Sequence, residues 1–398
     1  MLDGLLPDGP LLDGLRVLEI SSFVAAPLCG MTLAQLGAEV IRVDPLGGAP
    51  DVRRWPLAEN GTSIYWAGLN KGKRSIALDL RAPAGRELVA RLAAETGIVV
   101  TNARFPSYED LVPARPDLIH LRIEGHHDGR PAVDYTVNAE TGFPLTTGPG
   151  ELTGPVNNVV PAWDLACGLY AAVGILAAER HRSRTGEGRA IRLPLADVAL
   201  ATAGNLGYLG EAAVNGVDRP RIGNHLYGGF ARDFATADDR RVMIVTLTPR
   251  HFADLGRLTG LTEVFAELAR LLGADFGQDG DRYRHRETLA ALLEPWFAER
   301  RYAEVAEGLG GTSLLWSPYR TFTELVADAA GNPLLTVLHQ PGIGPLPVPG
   351  SPLDTGGDRG AAPASVPGAD TDEVLADLLG LGPAELAALR AGGVLPPS

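Results

Sequence analysis

Over the first hundred and twenty positions, short apolar blocks alternate with longer stretches of mixed polarity. Leu15-Arg16-Val17-Leu18-Glu19-Ile20, residues 39–43, residues 75–80, Gly97-Ile98-Val99-Val100 and residues 118–123 each read as a strand. Between them, residues 28–36 and 83–95 carry helical spacing, the first stopped by Gly37. Strands separated by helices at this pitch predict βαβ units and a mainly parallel sheet. Farther along, residues 164–182 form a long helix with an apolar run from 165 to 178. A polar turn at 184–188 leads to a strand at 190–193, and residues 195–211 read as another helix. From about Asn224 the pattern changes: a hairpin-like strand at 241–247 precedes several short helices between 250 and 326, which predicts a second, smaller domain. Residues 341–370 are rich in proline and glycine and lack periodicity, so they predict an extended connection, and residues 371–391 a closing helix.

Composition narrows the class. In 398 residues, 48 acidic side chains outnumber 35 basic ones, a formal charge of −13. That balance argues against nucleic acid or an anionic membrane as the main partner, since both need a basic face. Two cysteines, Cys29 and Cys167, are too few for a disulfide framework or a structural zinc site. Residues 1–4 show no basic region leading into an apolar core, hence no expected leader. The 14-residue apolar run at 165–178 is short of the roughly 20 needed to span a bilayer and reads as a buried helix. The expectation is a soluble, cytoplasmic protein.

Candidate chemistry is sparse. The turn after the first strand, Ser21-Ser22-Phe23-Val24-Ala25-Ala26, lacks the G-x-G-x-x-G that brings backbone onto a pyrophosphate, which disfavours NAD and FAD. Asn70-Lys71-Gly72-Lys73-Arg74, with Arg81 beyond the next strand, has the cations for a phosphate site, yet a solvated turn is the simpler reading. Asp164 opens the long helix, either as an N-cap or as an ionised nucleophile for acyl transfer; pattern alone favours the cap. His126-His127-Asp128 has no second ligand cluster and reads as a polar loop, and Ser21 and Ser22 lack a G-x-S-x-G elbow.

Several segments together resemble the class III CoA-transferase family. They are Leu12-Asp13-Gly14-Leu15-Arg16-Val17-Leu18-Glu19, Ala26-Pro27 with Leu36-Gly37-Ala38-Glu39-Val40-Ile41-Arg42-Val43, and Leu69-Asn70-Lys71-Gly72-Lys73-Arg74-Ser75. Leu176-Ala177-Ala178-Glu179-Arg180 and Thr185-Gly186-Glu187-Gly188 add to them. The resemblance implies an α/β fold with a Rossmann-like large domain built from both chain ends, a small inserted α+β domain, and an interlocked homodimer. On that basis residues 1–223 are the first part of the large domain, 224–336 the small domain, and 337–398 the returning connector and C-terminal part. It implies an acyl-CoA substrate and no separate cofactor, metal, nucleic acid or membrane.

By the family's Asp-x-x-x-Gly helix start, Asp164 falls on the nucleophile that forms an anhydride and then an aspartyl-CoA thioester. Leu78, Asp79, Leu80 and Arg81, and Asn102, Ala103 and Arg104, match CoA-contacting turns. Val24 and Ala25 match the loop beside the thioester, and Tyr65 an aromatic near the same pocket. Asp134 joins the substrate contacts, next to Val133, which stands where the racemase branch has its histidine; racemisation is therefore disfavoured. Gly223 and Asn224 remain of a glycine run that covers the intermediate in formyl-CoA transferase. Further segments, such as Tyr65-Trp66-Ala67-Gly68-Leu69-Asn70, Pro161-Ala162-Trp163-Asp164 and Leu226-Tyr227-Gly228, resemble the branch that moves CoA between the two carboxyls of one mesaconate, interconverting its C1 and C4 thioesters. Arg53, Arg54, Arg221, Asn224 and His225 are candidates to hold the uninvolved carboxylate. An intermolecular transferase acting on another dicarboxylic acid, and a non-catalytic acyl-CoA-binding protein, are the alternatives.

Overall fold

In the computed structural model of the chain, the described residues are 9–354 and 359–397. Residues 1–4, where no leader is expected, lie outside them, as does the stretch 355–358 of the predicted connection. Strands β1 (Arg16–Ile20), β2 (Glu39–Pro45), β3 (Arg74–Leu78), β4 (Ile98–Thr101), β5 (Ile119–Glu124) and β6 (Arg189–Pro194) form one sheet. Its order is β3-β2-β1-β4-β5-β6, and every neighbouring pair is parallel. The strands β1 to β5 are buried on both faces over most of their length, while the edge strand β6 is exposed or half-buried throughout. On one face Leu18, Ile20, Ile41, Val43, Ile76, Leu78 and Val99 share a core with Leu88, Val89 and Leu92 of the helix Pro83–Thr96. Val374, Leu375, Leu381, Leu386, Val394 and Leu395, from the other end of the chain, complete it.

Side chains alternate along a strand, so Glu19, Arg42 and Asp44 point to the opposite face. There they form a buried charged layer under the helix Ala25–Gln35, close enough that a Cβ on Gly30 would collide with the Glu19 carboxylate. Arg42 donates to Asp44 (2.9 Å), Asp51 (3.1 Å), Asn70 Oδ1 (2.9 Å) and Ser21 O (3.2 Å). Lys73 Nζ donates to Glu19 (2.9 Å), Pro27 O (2.8 Å) and Asn70 Oδ1 (2.8 Å). With each charge paired and hydrogen-bonded, the layer offsets its desolvation, and losing one member would strand the rest.

The chain forms two compact units. The first comprises the described residues up to Thr141, then Asn158–Gly210 and Asp328 onward; the second comprises Gly142–Asn157 and Glu211–Ala327. The second unit thus starts ahead of Asn224, takes in the segment 142–157 as well, and ends before 336. It holds an antiparallel sheet of β7 (Phe230–Ala235), β8 (Arg241–Thr246) and β9 (Leu315–Pro318), covered by helices. Its core is aromatic, with Phe234 stacked on Phe297 at 4.4 Å between centroids.

Three elements depart from the sequence-based expectation. The single helix expected over 195–211 is two, Leu195–Asn205 and Tyr208–Asn215, parted at Gly207, whose φ of 81° no helix accommodates. The closing helix is likewise two, Thr371–Leu379 and Pro383–Ala391, ended and restarted around Gly380 (φ 68°). The expected extended connection begins with a hairpin, β10 (Leu335–Gln340) and β11 (Gly344–Pro349). Each strand of a two-stranded sheet has a free edge, so Pro345, Pro347 and Pro349 fit without costing a ladder bond. The long helix runs Ala162–Thr185 and is buried on one side only: Cys167, Ala171 and Ile175 are inside, while Leu169, Tyr170 and Val173 are more than half exposed.

Candidate active site

The strand order reverses at β1, which pairs with β2 on one side and β4 on the other. In open α/β sheets the crevice beyond the carboxyl ends of two such strands is where ligands bind. Here those ends are laced together. Ser22 N–H donates to Asn102 Oδ1 (3.1 Å) and Asn102 Nδ2 donates back to Ser22 O (2.8 Å), while Thr101 Oγ1 donates to Ile20 O (2.8 Å). Asn102 therefore fixes the turn with its side chain. Leu78 is fully buried in the core, so only its backbone faces the turn. Asp79 accepts from Arg81 N–H (2.9 Å), which shapes the turn after β3; Arg81 and Arg104 are exposed, and Leu80 and Ala103 pack partly against the core.

After Ser22 the backbone turns sharply. Phe23 has φ 68°, a left-handed conformation that costs a non-glycine residue of order 1 kcal/mol or more. Its N–H donates to Asp51 Oδ2 (3.0 Å), so the buried Arg42 layer holds this turn in place. Val24 and Ala25 follow, both buried, at the start of the helix Ala25–Gln35.

That helix and the long one touch through their backbones. A Cβ on Gly168 would lie 2.6 Å from the Ala25 carbonyl oxygen and 3.0 Å from Leu28 Cβ, so only glycine permits the crossing. Asp164 sits one turn earlier on the same stripe, which gives the Asp-x-x-x-Gly spacing its physical meaning: the glycine sets the approach, and the aspartate is carried to the crevice.

Asp164 is not the cap of its helix. Asp134 Oδ2 accepts from Trp163 N–H (2.8 Å) and Asp164 N–H (3.2 Å), so a carboxyl group from another element satisfies the free donors. Trp163 Nε1 donates to Asn138 Oδ1 (3.0 Å), fastening the same helix start a second time. Asp134 thus holds the helix start that carries Asp164. With its cap position taken over, the Asp164 carboxyl is pushed up from its ordinary 3.8 to about 7: burial raises it most, the neighbouring Asp134 adds to this, and Arg54 opposes both. The helix start was expected to keep Asp164 fully ionised; burial beside a second acidic group overrides that.

Arg54 completes the group. Its guanidinium lies over the rings of Tyr65 (5.2 Å to centroid) and Phe23 (5.6 Å). Burial raises the Tyr65 phenol above its usual range; Arg54 counters that rise and Asp164 adds to it. Asp164, Arg54, Tyr65 and Phe23 thus gather beside the turn containing Val24 and Ala25. Of the five residues considered for a distal carboxylate, Arg54 alone is tied to this group. In the second unit, Arg221 donates to the carbonyls of Leu145 (2.8 Å), Leu152 (2.6 Å) and Pro144 (3.2 Å). Asn224 donates to Asp233 (2.9 Å), His225 lies between Arg232 and Glu287, and Gly223, at φ 59°, bonds Gly148 O. Arg53 is exposed.

The residues 70–74 are neither a phosphate cradle nor a solvated turn. Asn70, Lys71 and Lys73 are at most 5% exposed, and Arg74 pairs with Glu39, Glu373 and Asp377. Burial pulls the Lys71 ammonium down to about 8. His126, His127 and Asp128 face three different partners, Glu140, Asp197 and Arg130. Asp51 escaped the sequence reading altogether: nothing in Pro50-Asp51-Val52 marks a residue that anchors a turn from below. Phe23 left no signal either, because its strain is a backbone property.

Comparison with known proteins adds an independent line. Residues 12–373 match the family profile described as CoA-transferase family III. The chain is 49% identical over 401 residues to the 2-methylfumaryl-CoA isomerase of Chloroflexus aurantiacus, covering 97% of this chain and 98% of that protein. It is 30% identical to the succinyl-CoA:mesaconate CoA-transferase of Haloarcula hispanica, over 86% of this chain and 89% of that one. A crystal structure of a CAIB/BAIF family protein from Brucella suis superposes with a TM-score of 0.77 at 26% identity, covering 92% of this chain and 99% of the other.

Proposed function

The chain belongs to CoA-transferase family III, and from that premise we propose that it moves CoA within one molecule, between the C1 and C4 carboxyls of mesaconate, with Asp164 as the nucleophile. The observation that carries this reading is the uncapped, partly buried carboxyl of Asp164 beside an arginine at the strand-order reversal. The substrate class follows the 2-methylfumaryl-CoA isomerase likeness, which extends over both units.

The steps balance without a cofactor. The ionised Asp164 carboxylate attacks the thioester carbonyl, a C–O bond forms, and CoA leaves as thiolate, giving a mixed anhydride. The thiolate attacks the aspartyl carbonyl of that anhydride, yielding aspartyl-CoA thioester and free mesaconate. Mesaconate then presents its other carboxylate to the aspartyl thioester, re-forms an anhydride and expels thiolate. Attack of thiolate on the mesaconyl carbonyl gives the isomeric thioester and restores Asp164. A carboxyl titrating near 7 suits this cycle: it is substantially ionised at neutral pH and, being poorly solvated, more nucleophilic than a surface aspartate. CoA lies along the turns at Leu78–Arg81 and Asn102–Arg104, with Val24 and Ala25 beside the thioester.

The exposed apolar side chains Leu169, Tyr170 and Val173 on the long helix, with Leu200, Leu206 and Leu209 beyond it, suit burial against a second copy, in keeping with an interlocked homodimer. We place the enzyme in the cytoplasm. Intact-protein mass spectrometry after mixing with mesaconyl-C1-CoA tests the nucleophile: a CoA adduct on wild type that Asp164→Ala lacks is expected, and full activity in Asp164→Ala would overturn the mechanism.

A further inference from the structure

We infer that Arg54 is the specificity-determining residue of this site, pairing with the substrate carboxylate that is not bonded to CoA and so selecting short dicarboxylyl-CoA esters over monocarboxylyl ones. The inference rests on the proposed CoA transfer at Asp164. It starts from three observations. Among the described residues no close ion pair engages Arg54, and Asp164 is the carboxyl its charge acts on, although closely paired arginines abound in this acidic chain. It is nevertheless held in place. Its N–H donates to Asp51 O (3.0 Å), its carbonyl accepts from Ser63 Oγ (2.5 Å), and its guanidinium lies against Phe23 and Tyr65. And it stands near enough to Asp164 to hold that carboxyl down against burial.

The guanidinium rests against two aromatic rings and shares one side-chain hydrogen bond with Tyr65; its other N–H donors remain for a carboxylate, which a planar fork binds through two parallel hydrogen bonds. The anchoring also explains the strained turn. Asp51 holds Phe23 through its side chain and Arg54 through its main chain, so the Arg42 layer fixes both the cation and one of the rings it rests on. In a transfer that exchanges the two ends of one diacid, such a cation serves twice. It holds the free carboxylate before the first attack, and it holds the other carboxylate once the molecule has turned over. Between those moments it keeps the free dianion beside the aspartyl thioester.

The test compares two substrates that differ only in that carboxylate. Mesaconyl-C1-CoA carries it; methacrylyl-CoA has the same carbon skeleton around the thioester and lacks it. Both are mixed with wild type, Arg54→Met and Arg54→Lys at about pH 9, where Asp164 is ionised with or without its arginine neighbour. The readout is the rate of CoA transfer to the enzyme, followed by intact mass. Arg54→Met is expected to lower kcat/KM for mesaconyl-C1-CoA about 100-fold, the scale of a lost charge-assisted pair, while the methacrylyl-CoA rate changes less than about threefold. Arg54→Lys keeps the charge but not the fork and falls between; it carries the same comparison if Arg54→Met does not fold. Equal losses on both substrates would make Arg54 a support for Asp164 or for the fold, and no loss on either would make it a bystander; both results overturn the inference. Wild type that takes CoA from neither ester would instead refute the transferase reading itself.

Discussion

Replacing Asp164 with asparagine should make the protein more stable, and only above a defined pH. Folding takes this carboxyl from an ordinary 3.8 to about 7, mostly by burial and then by the adjacent Asp134. At about 1.4 kcal/mol per tenfold change in proton affinity, ionising it in the folded state costs about 4 kcal/mol. Between 3.8 and about 7 the native state keeps a proton that the unfolded chain releases. Wild-type stability therefore falls as pH rises through that window and is level above it with respect to this group. The amide has nothing to ionise. Urea unfolding of both proteins at several pH values would show curves that nearly coincide at about pH 4 and diverge to a gap of about 4 kcal/mol at about pH 8, the variant being the more stable. A gap that does not vary with pH, or a variant less stable than wild type at about pH 8, would refute the burial argument.

Other consequences follow from the same geometry. The acidic limb of the kcat/KM profile should lie near 7, since Asp164 must be ionised to attack. Asp134→Asn, which removes the like charge but keeps an acceptor for the helix start, should move that limb to lower pH, and an unmoved limb would exclude Asp134 as its cause. Gly168→Ala puts a methyl group 2.6 Å from the Ala25 carbonyl oxygen; about 2 kcal/mol of stability should be lost in urea titration, with a fall in activity as the helices part. Arg42→Met should cost about 3–5 kcal/mol, because Asp44 and Asp51 are left charged and buried, and calorimetry would register this as a large drop in Tm.

The parallel sheet was legible because its strands are short blocks rich in Val, Ile and Leu, separated by stretches of helical spacing. Asp164 was legible as a helix-start acid with a glycine four residues on, though the pattern pointed to a cap. It took the third dimension to show Asp134 arriving from another element to do that work. Lys73 misled for a similar reason: three cations around a glycine look solvated in one dimension, whereas the carboxylate that buries Lys73 is Glu19, far away in sequence. The hairpin at 335–349 was hidden by its prolines, which mark a linker in a wide sheet and are harmless on two free edges. Helix breaks at Gly207 and Gly380 went unseen because a lone glycine in an otherwise apolar helical pattern is ambiguous until its φ is known.

The most direct measurement is crossover. Mesaconyl-C1-CoA is incubated with the purified protein in the presence of isotopically labelled free mesaconate, and both thioesters are followed by chromatography and mass spectrometry. Intramolecular transfer predicts that the C4 thioester accumulates without added acid and carries no label. Label entering the C4 thioester in proportion to the free acid, or no conversion until an acid is supplied, would contradict it and make the enzyme an intermolecular transferase.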